Sequence, residues 1–338
     1  MRIALISTLS TPVRRDGSGS VEGLLWLMAR ELTFMGHEVT VFGAAGSEID
    51  GEVITTLPGP YGVAGSPDDW QLCEWINLCR AVEQSARFDV LHSHAYLWGL
   101  PLEALSKAPM LHTLHVCPYS SEARLRAMYP RAAISAISSY QWSHVPEARP
   151  LAVIHHGVDR EQFTFHPQPE DYLLYLGRFT ASKGPLQAIA AARAAGMRLV
   201  LAGPVNDYFR ACVEPLVDGQ SVEYAGSITG VERGRLLGGA SALLYPIQEP
   251  EPFGLVPVEA MMCGTPVVGI HLGAIPEIVE EGVSGYCAGS AQDMPPLIAR
   301  SLTLDRRRIR EQAEARFSGE RMARDYVELY ERLAGGDL

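Results

Sequence analysis

The chain has no apolar run approaching the ~20 residues that a membrane-spanning helix needs. Positive charge is also scarce, because 28 Lys and Arg residues stand against 39 Asp and Glu residues and give a formal net charge of −11. Nucleic acids and anionic membranes attract basic proteins, so we expect neither as the main partner. The opening MRIALISTLSTP has one Arg and an apolar run cut by Ser, Thr and Pro. It predicts a first β-strand rather than a signal peptide or a transmembrane segment.

Cysteine is sparse and follows no recognisable spacing. The six cysteines lie far apart and form neither a C-x-x-C motif nor a zinc-ligand pattern. Such usage is typical of a reducing compartment, and we therefore predict a cytoplasmic protein. The positions are Cys73, Cys79, Cys117, Cys212, Cys263 and Cys287.

A complete dinucleotide-binding fingerprint is missing as well. The loop after the first strand carries Gly17, Gly19 and Gly23, which miss the G-x-G-x-x-G pattern by one position. The acidic residue that should follow the next strand has only Glu48 and Asp50 as candidates, in an irregular loop. An NAD-dependent dehydrogenase is therefore disfavoured.

The length of 338 residues suits two domains, and the 47% hydrophobic content is ample for two cores. Both halves alternate short apolar runs with helical patterns, which indicates parallel sheets covered on both faces. We predict an α/β fold of two Rossmann-like, doubly wound domains. The first half has predicted strands over residues 2–7, 36–43, 52–57, 88–93, 110–114, 132–137 and 151–154, and helices over 21–35, 68–86 and 97–106. The second half has predicted strands over residues 172–176, 197–203, 221–226, 242–245 and 267–270, and helices over 185–195, 231–239, 292–304, 305–317 and 319–333.

The stretch over residues 249–279 carries the most informative pattern. It predicts a loop, a helix beginning near Gly254 or Leu255, a buried strand, a Gly-rich turn and a second helix. Gly254 lets a ligand approach the backbone, and the first helical turn offers unpaired N–H groups to an anion such as phosphate. Glu251 and Glu259 frame this position, and carboxylates recognise hydroxyl groups. The pattern suggests a ligand with sugar at one end, phosphate in the middle and ribose at the other end.

The run E-P-F-G-L-x-x-x-E-A-M over residues 251–261, followed by G-T-P-V-V and G-A-I-P-E-I-V, resembles the retaining family 4 glycosyltransferases (glycosyl transferases group 1) of GT-B fold. The resemblance covers nearly the whole chain and includes a G-R…K-G pair at Arg178 and Lys183. It also includes a turn like the family's N-G-V-D, in which His156 replaces Asn. The resemblance implies two Rossmann-like domains facing across a cleft. The first is an acceptor-binding domain over 1–160 and the second is a nucleotide-sugar-binding domain over 161–318. A terminal helix over 319–338 is expected to pack back on the first domain.

The same resemblance implies transfer of a hexose from a nucleotide-sugar, expected to be UDP-linked, to an acceptor hydroxyl with retained anomeric configuration. Arg178 and Lys183 would stabilise the leaving diphosphate, Glu251 would order the sugar hydroxyls, and Glu259 would bind the ribose. Glu249 is a rival for Glu251, but the eight-residue spacing to Glu259 decides for Glu251. The further positions implied at the nucleotide are Gly19, Gly226, Ile228, Phe253, Gly254 and Leu255.

Histidines occur near the ends of two predicted strands of the first half. Polar residues at the carboxyl ends of parallel strands point into the ligand crevice. His115 ends its predicted strand and precedes a loop, and the resemblance implies that a His in this T-x-H position contacts the donor sugar. We expect it to be a catalytic residue, whereas His92 and His94 are better explained as structural.

No D-x-D motif, with which metal-dependent glycosyltransferases hold a divalent ion, occurs in the chain. We therefore predict an enzyme that needs no metal and no cofactor beyond its nucleotide-sugar substrate. The acceptor class stays open between a small molecule, a glycan and a lipid-linked molecule. Two other interpretations also stay open: a UDP-sugar 2-epimerase on the same fold, and a non-catalytic nucleotide-sugar-binding protein.

Overall fold

The structure is a computed structural model and describes residues 1–15, 20–61, 69–145 and 150–336. The chain divides into two compact units. The first comprises Met1–Gly157 and Gly319–Leu338, and the second comprises Val158–Ser318. The sequence placed the division between its two domains at residue 160.

Each unit contains one sheet in which all paired strands are parallel. The strands of the first unit are β1 (Arg2–Ile6), β2 (Glu38–Gly43), β3 (Glu52–Thr55), β4 (Val90–Ser93), β5 (Met110–Thr113), β6 (Ala133–Ala136) and β7 (Ala152–Val153). Those of the second unit are β8 (Leu173–Leu176), β9 (Leu199–Ala202), β10 (Val222–Tyr224), β11 (Ala242–Tyr245), β12 (Val267–Ile270) and β13 (Gly285–Ala288). The spatial orders are β3-β2-β1-β4-β5-β6-β7 and β10-β9-β8-β11-β12-β13. Both are doubly wound orders, which confirms the predicted fold class, and ligands bind such sheets where the order reverses.

Helices connect most of these strands. In chain order the α-helices of the described residues are α1 (Ser20–Phe34), α2 (Trp70–Glu83), α3 (Ser120–Met128), α4 (Pro185–Ala195), α5 (Gly230–Gly239), α6 (Leu255–Met262), α7 (Ile275–Ile278), α8 (Met294–Ser301), α9 (Arg306–Phe317) and α10 (Gly319–Gly335). None of the helices in this part of the chain combines the length and the apolar character that crossing a membrane requires.

The last helix, α10, belongs to the first unit and packs against α1. Its Tyr326 and Tyr330 are almost completely buried in the core that also contains Leu25. Gly319 allows α10 to begin against this core, because a Cβ at that position would lie 2.7 Å from the side chain of Leu27. One side of the amphipathic helix is therefore fixed by packing.

Several local predictions were wrong. The helix predicted over residues 97–106 is only a 3₁₀ segment, Leu100–Leu105, since Pro101 lacks the N–H that a longer helix would use. Helix α3 and strand β13 were not predicted at all. Helix α2 begins at Trp70, two residues later than predicted. The Asp69 carboxylate fixes this start because it accepts hydrogen bonds from the N–H groups of the next turn, the shortest at 2.9 Å.

Candidate active site

The carboxyl ends of β8 and β11 lie side by side where the strand order of the second unit reverses. Arg178 follows β8, and its exposed guanidinium forms no hydrogen bond or ion pair with the described residues. A 3₁₀ turn over Ala181–Lys183 leads from there into α4. Gly184 joins the turn to the helix with a φ of 70°, and a Cβ there would lie 2.0 Å from the carbonyl oxygen of Pro246. The lysine-bearing turn therefore packs directly on the segment that follows β11.

Glu251 is the acidic group of this edge. Lys183 Nζ donates a hydrogen bond to its Oε1, and the Tyr245 hydroxyl donates to its Oε2 at 2.7 Å. The Ala274 N–H donates to the Glu251 carbonyl at 3.0 Å, and a Cβ at Gly273 would lie 2.5 Å from the Glu251 backbone. Burial, and then the Glu251 charge, raises the pKa of Tyr245 well above its ordinary value, so its hydroxyl stays a donor. The Lys183 and Glu251 side chains are 22% and 18% exposed, which leaves the pair accessible to a ligand.

The amino terminus of α6 has no side-chain cap. Gly254, its N-cap residue, has a φ of 133°, and a Cβ there would lie 2.9 Å from the side chain of Ile275. Glycine is therefore required on two grounds, backbone conformation and space. The N–H groups of Leu255 and Val256 lie at the positive end of the helix dipole and have no partner in the described residues. They are therefore suited to bind an anion.

Glu259 lies further along α6 and pairs with a residue that the sequence did not single out. Arg233, in α5, donates from Nε to Glu259 Oε2 at 2.9 Å, and its Nη2 donates to the same oxygen. Glu259 Oε1 therefore accepts no hydrogen bond from the described residues. The carboxylate is held by one oxygen and offers the other to a ligand. Neither the spacing nor the composition of residues 230–239 marks Arg233, since the pair forms only when α5 and α6 pack together.

Three other residues expected at the nucleotide occupy different surroundings. The Gly226 carbonyl accepts a hydrogen bond from the Gly203 N–H at 2.9 Å, next to the end of β10. Ile228 and Phe253 are 6% and 3% exposed, and Phe253 packs edge-on against Phe317 with ring centroids 6.2 Å apart. Their side chains belong to the core, so only backbone atoms of these two residues could meet a nucleotide. Gly19, by contrast, lies outside the described residues.

His115 takes part in a chain of histidines in the first unit. Its Nε2 lies 2.9 Å from His94 Nδ1, and its Nδ1 lies 3.4 Å from His156 Nε2. The three rings stack, with both neighbouring centroid distances at 5.2 Å. Burial lowers the pKa of His115 to about 4, so the ring is neutral at pH 7. A neutral imidazole has one N–H, and the two hydrogen bonds therefore tie the tautomers of the three rings together.

His92 has a structural environment. It is completely buried, and its two ring nitrogens lie 2.6 Å from the Tyr330 hydroxyl and 2.7 Å from Thr113 Oγ1. Both ring nitrogens are therefore occupied by protein partners, and His92 joins α10 to the sheet.

No group of three or more His, Cys, Asp or Glu side chains that could hold a metal ion lies together in the described ranges. The groups that the sequence singled out in the second unit do lie together locally: Lys183 contacts Glu251, and α6 carries both the uncapped amino terminus and Glu259. These groups offer cations and N–H donors to a diphosphate and carboxylate oxygens to hydroxyl groups.

Two family models match successive parts of the chain. The model described as Glycosyltransferase Family 4 matches residues 21–162, and the model described as Glycosyl transferases group 1 matches residues 159–316. The chain belongs to glycosyltransferase family 4. This family 4 glycosyltransferase is an enzyme of the transferase class with the GT-B fold.

Known glycosyltransferases are similar to this chain over most of its length. The D-inositol 3-phosphate glycosyltransferase of Mycolicibacterium smegmatis is 27% identical, in a match that covers 84% of this chain and 79% of the relative. Among solved structures, AviGT4, a glycosyltransferase involved in avilamycin A biosynthesis, is 28% identical with a TM-score of 0.77 and coverage of 99% and 98%. HepE of Anabaena, solved in complex with UDP, is 19% identical with a TM-score of 0.73 and coverage of 98% and 100%, and shares the fold with this glycosyltransferase.

Proposed function

We propose that this enzyme transfers a hexose from a UDP-hexose to an acceptor hydroxyl, with retention of anomeric configuration and without a metal ion. The observation that carries the proposal is the pairing of Lys183 with Glu251, beside the uncapped amino terminus of α6. This arrangement places a cation and free N–H groups next to a carboxylate on one edge of the second unit. A nucleotide-sugar needs donors for its diphosphate and acceptors for its sugar hydroxyls.

The diphosphate would be held by Arg178, Lys183 and the N–H groups of Leu255 and Val256. The Arg178 guanidinium has no hydrogen bond or ion pair to give up among the described residues, whereas Lys183 would exchange Glu251 for a phosphate oxygen. Each charge-assisted hydrogen bond contributes about 1.5–3 kcal/mol. Hydrogen-bond donors that are already in position before the reaction stabilise the charge that develops on the leaving diphosphate. A bound metal ion has this role in metal-dependent glycosyltransferases. The absence of a D-x-D motif from the sequence supports metal independence.

The two glutamates would then read the sugars on either side. Once Lys183 turns to the phosphate, Glu251 keeps its hydrogen bond from Tyr245 and can accept others from hexose hydroxyls. Glu259 is oriented by Arg233 through one oxygen and would accept from the ribose hydroxyls with Oε1. Carboxylate acceptors suit vicinal hydroxyl groups because each oxygen carries two lone pairs.

Retention is the outcome that we infer for the transfer step. The acceptor hydroxyl oxygen forms a bond to the anomeric carbon on the same face from which the diphosphate departs, the bond from that carbon to the diphosphate oxygen breaks, and the hydroxyl proton passes to the departing phosphate. Because the acceptor oxygen itself attacks the anomeric carbon in this step, neither Glu251 nor Glu259 is needed as a nucleophile. Neutral His115 would contact the reacting sugar, in place of its longer hydrogen bond of 3.4 Å to His156.

One solved structure that shares the fold supports the donor class, and another supports sugar transfer. HepE has been solved with UDP and with UDP-glucose. AviGT4 is itself described as a glycosyltransferase and matches nearly the whole of this chain. A UDP-hexose is therefore the first donor to test, followed by GDP- and ADP-hexoses.

The test is a hydrolysis and transfer screen with UDP-, GDP- and ADP-hexoses, combined with substitutions in the proposed cradle. Lys183→Ala and Arg178→Ala should each lower turnover by about 100-fold or more, because a preorganised charge is lost from the leaving group. The control is Arg210→Ala, which removes an exposed arginine of the same unit whose partner is Asp207. Near-normal rates for either cradle variant, in a protein that melts normally, would remove that residue from the mechanism.

Metal independence and retention need separate measurements on the wild type. Activity should be unchanged by EDTA and by added Mg²⁺ or Mn²⁺, and the product anomer can be read from proton coupling constants by NMR. Loss of activity in EDTA that a divalent ion restores would contradict the metal-free mechanism, and an inverted anomer would contradict retention.

A further inference from the structure

Four aromatic side chains form a cluster in the first unit, which we call the aromatic cluster: Tyr61, Trp70, Tyr96 and Trp98. Tyr96 and Trp98 stack with centroids 5.0 Å apart, and Trp70 lies 5.3 Å from Trp98 and 5.8 Å from Tyr96. Tyr61 completes the group at 6.2 Å from Trp70. The cluster packs against the core through Tyr61, Tyr96 and Trp98, but it keeps a surface open to solvent, since Trp70 is 38% exposed and the other three members are partly exposed. It presents aromatic surface to a ligand.

The cluster lies at the carboxyl edge of the sheet. Tyr61 follows β3, whereas Tyr96 and Trp98 follow β4 and come directly after His94 of the histidine chain. Trp70 begins α2. Ligands of doubly wound sheets bind at this edge, beside the point of strand reversal formed here by β1 and β4.

The backbone at Tyr96 is held in an unusual conformation. Its φ of 51° makes it the one residue other than glycine with positive φ among the described ranges. Left-handed backbone at a bulky residue costs about 1–3 kcal/mol and concentrates at ligand sites. Here the conformation sends the tyrosine ring into its stack with Trp98.

Two buried carboxylates lie next to the cluster. Glu74, in α2, accepts a hydrogen bond at Oε1 from the Leu9 N–H at 2.8 Å, but its buried Oε2 has no partner in the described residues. Burial, and then the Glu74 charge, raises the pKa of both Tyr61 and Tyr96, which places the carboxylate close to the cluster. A buried acceptor without a partner is costly, and a ligand hydroxyl would satisfy it.

The second carboxylate, Glu22, is 2% exposed and accepts hydrogen bonds from Thr8 and from other groups of the loop that follows β1. Neither Glu22 nor Glu74 forms an ion pair with a Lys or Arg in the part of the chain that the structure describes. The surroundings are therefore aromatic and acidic. The two carboxyl groups offer acceptor oxygens to hydroxyl groups, and their negative charge, to which Glu74 contributes as the pH rises through its raised pKa of about 7, repels a phosphate.

We propose that the aromatic cluster is the acceptor subsite of this enzyme and that it takes an uncharged sugar ring or glycoside. The C–H face of the sugar would lie on Trp70 and Trp98, whose ring faces carry the negative part of the aromatic quadrupole. Its hydroxyls would donate to the carboxyl oxygens of Glu22 and Glu74. This inference rests on the proposed transfer reaction. It assigns this enzyme an uncharged acceptor, unlike the inositol phosphate for which some relatives are named.

The reaction on this acceptor balances without any further reagent. One hydroxyl oxygen of the glycoside bonds to the anomeric carbon of the donor, the carbon–oxygen bond to the diphosphate breaks, and the diphosphate takes the hydroxyl proton. The products are a disaccharide or longer glycoside and the nucleoside diphosphate.

The experiment compares Trp70→Leu and Trp98→Leu with a matched control, Trp75→Leu. Trp75 is also in α2 and is 36% exposed, similar to Trp70, but lies outside the cluster. The acceptor probes are methyl and p-nitrophenyl glycosides of common hexoses, with inositol 3-phosphate as the charged alternative. We expect transfer to a neutral glycoside, with an acceptor KM about tenfold higher in each cluster variant, as loss of an aromatic contact implies, and unchanged in the control.

A second readout needs no turnover. Saturation-transfer NMR on the wild type should show contact with the C–H protons of a methyl glycoside, and Trp70→Leu should weaken it whereas Trp75→Leu should not. Transfer to inositol 3-phosphate with no neutral glycoside accepted or bound would overturn the inference while leaving the proposed transferase intact. Equal effects of Trp70→Leu and Trp75→Leu would also overturn it. Failure of the proposed function is recognised separately, as no binding or hydrolysis of any UDP-, GDP- or ADP-hexose.

Discussion

Glu74 offers a prediction whose magnitude follows from its surroundings. The carboxyl is completely buried in the first unit. Burial raises its pKa to about 7, the hydrogen bond from the Leu9 N–H opposes this rise, and the Glu22 charge adds to it. The informative substitution is Glu74→Gln, because glutamine has nearly the same shape, can still accept from Leu9, and carries no charge at any pH.

The expected free energy can be worked out from the two pKa values. The ordinary value is 4.5 and the folded value is about 7, a difference that corresponds to roughly 3 kcal/mol at ~1.36 kcal/mol per pH unit. Because the folded pKa is the higher one, the folded chain binds this proton more tightly than the unfolded chain does. The Glu74 contribution to stability is therefore fully present below pH 4.5 and is lost as the pH rises towards 7.

The assay can follow the first unit alone. All five tryptophans of the chain, at positions 26, 70, 75, 98 and 142, belong to that unit. Tryptophan fluorescence during urea unfolding therefore reports on it and avoids treating two units as a single transition. The free energy of unfolding of Glu74→Gln, relative to that of the wild type, should rise by about 2–3 kcal/mol between pH 5 and pH 8, because only the wild type loses a stabilising proton.

The control and the contradicting result are equally direct. Glu83→Gln, at a side chain that is 64% exposed at the end of the same helix, should shift the unfolding free energy equally at both pH values. A Glu74→Gln difference that does not change between pH 5 and pH 8 would refute the reasoning. It would mean that the carboxylate is already charged and stabilised in the folded protein.

Two further substitutions test the second unit. Arg233→Ala should reduce the preference for UDP over 2′-deoxy-UDP, measured by calorimetric titration, by about tenfold, because Glu259 loses the partner that orients it. Arg235→Ala, an exposed arginine of the same helix, should leave the preference unchanged, and equal behaviour of the two variants would exclude the orienting role. Gly184→Ala and Gly196→Ala both force a side chain onto a φ near 70°, but only the first meets a backbone oxygen, at 2.0 Å. Gly196→Ala should lower the free energy of unfolding by about 1–2 kcal/mol. Gly184→Ala should lower it further and should weaken UDP binding. Equal melting temperatures and UDP affinities of the two variants would contradict the close packing at Gly184.

Local signals determined the elements that the sequence predicted well. Helix α4 was predicted with its observed bounds, because Pro185 suits the first turn and Gly196 ends the helix with a φ of 68°. Strands β11 and β12 are buried apolar runs closed by turn residues, and their bounds were also predicted. The alternation of such segments was sufficient for the fold class.

The missed elements depend on distant residues. Strand β13 is Gly-Tyr-Cys-Ala, which has little strand character, and it forms because β12 offers an open edge for parallel pairing. Helix α3 has a strongly polar sequence and is supported by Glu122, whose side chain accepts from the Tyr119 N–H at 3.1 Å. Propensity alone gives weak signals in both cases.

The candidate site shows the same division. The motif over residues 251–261 identified Glu251, Gly254 and Glu259 from the sequence, because the residues of a ligand-binding turn and of the helix that follows it stand at fixed, short separations along the chain. The partners Tyr245 and Arg233 are contributed by other elements, and no local spacing marks them. The roles assigned to the motif residues stay predictions until a nucleotide is bound.

The ion pairs explain how an acidic chain could bind a diphosphate in the proposed donor site. With Glu251 and Glu259 uncompensated, the site would repel the ligand; Lys183 and Arg233 neutralise these charges in the ligand-free chain. A diphosphate that takes Lys183 leaves Glu251 partly buried without its cation, which is unfavourable on its own. The hexose hydroxyls then become the groups that can satisfy Glu251. Recognition of the phosphate and of the sugar would therefore be coupled through one side chain, so that a nucleotide carrying its sugar binds with less penalty than the nucleotide alone.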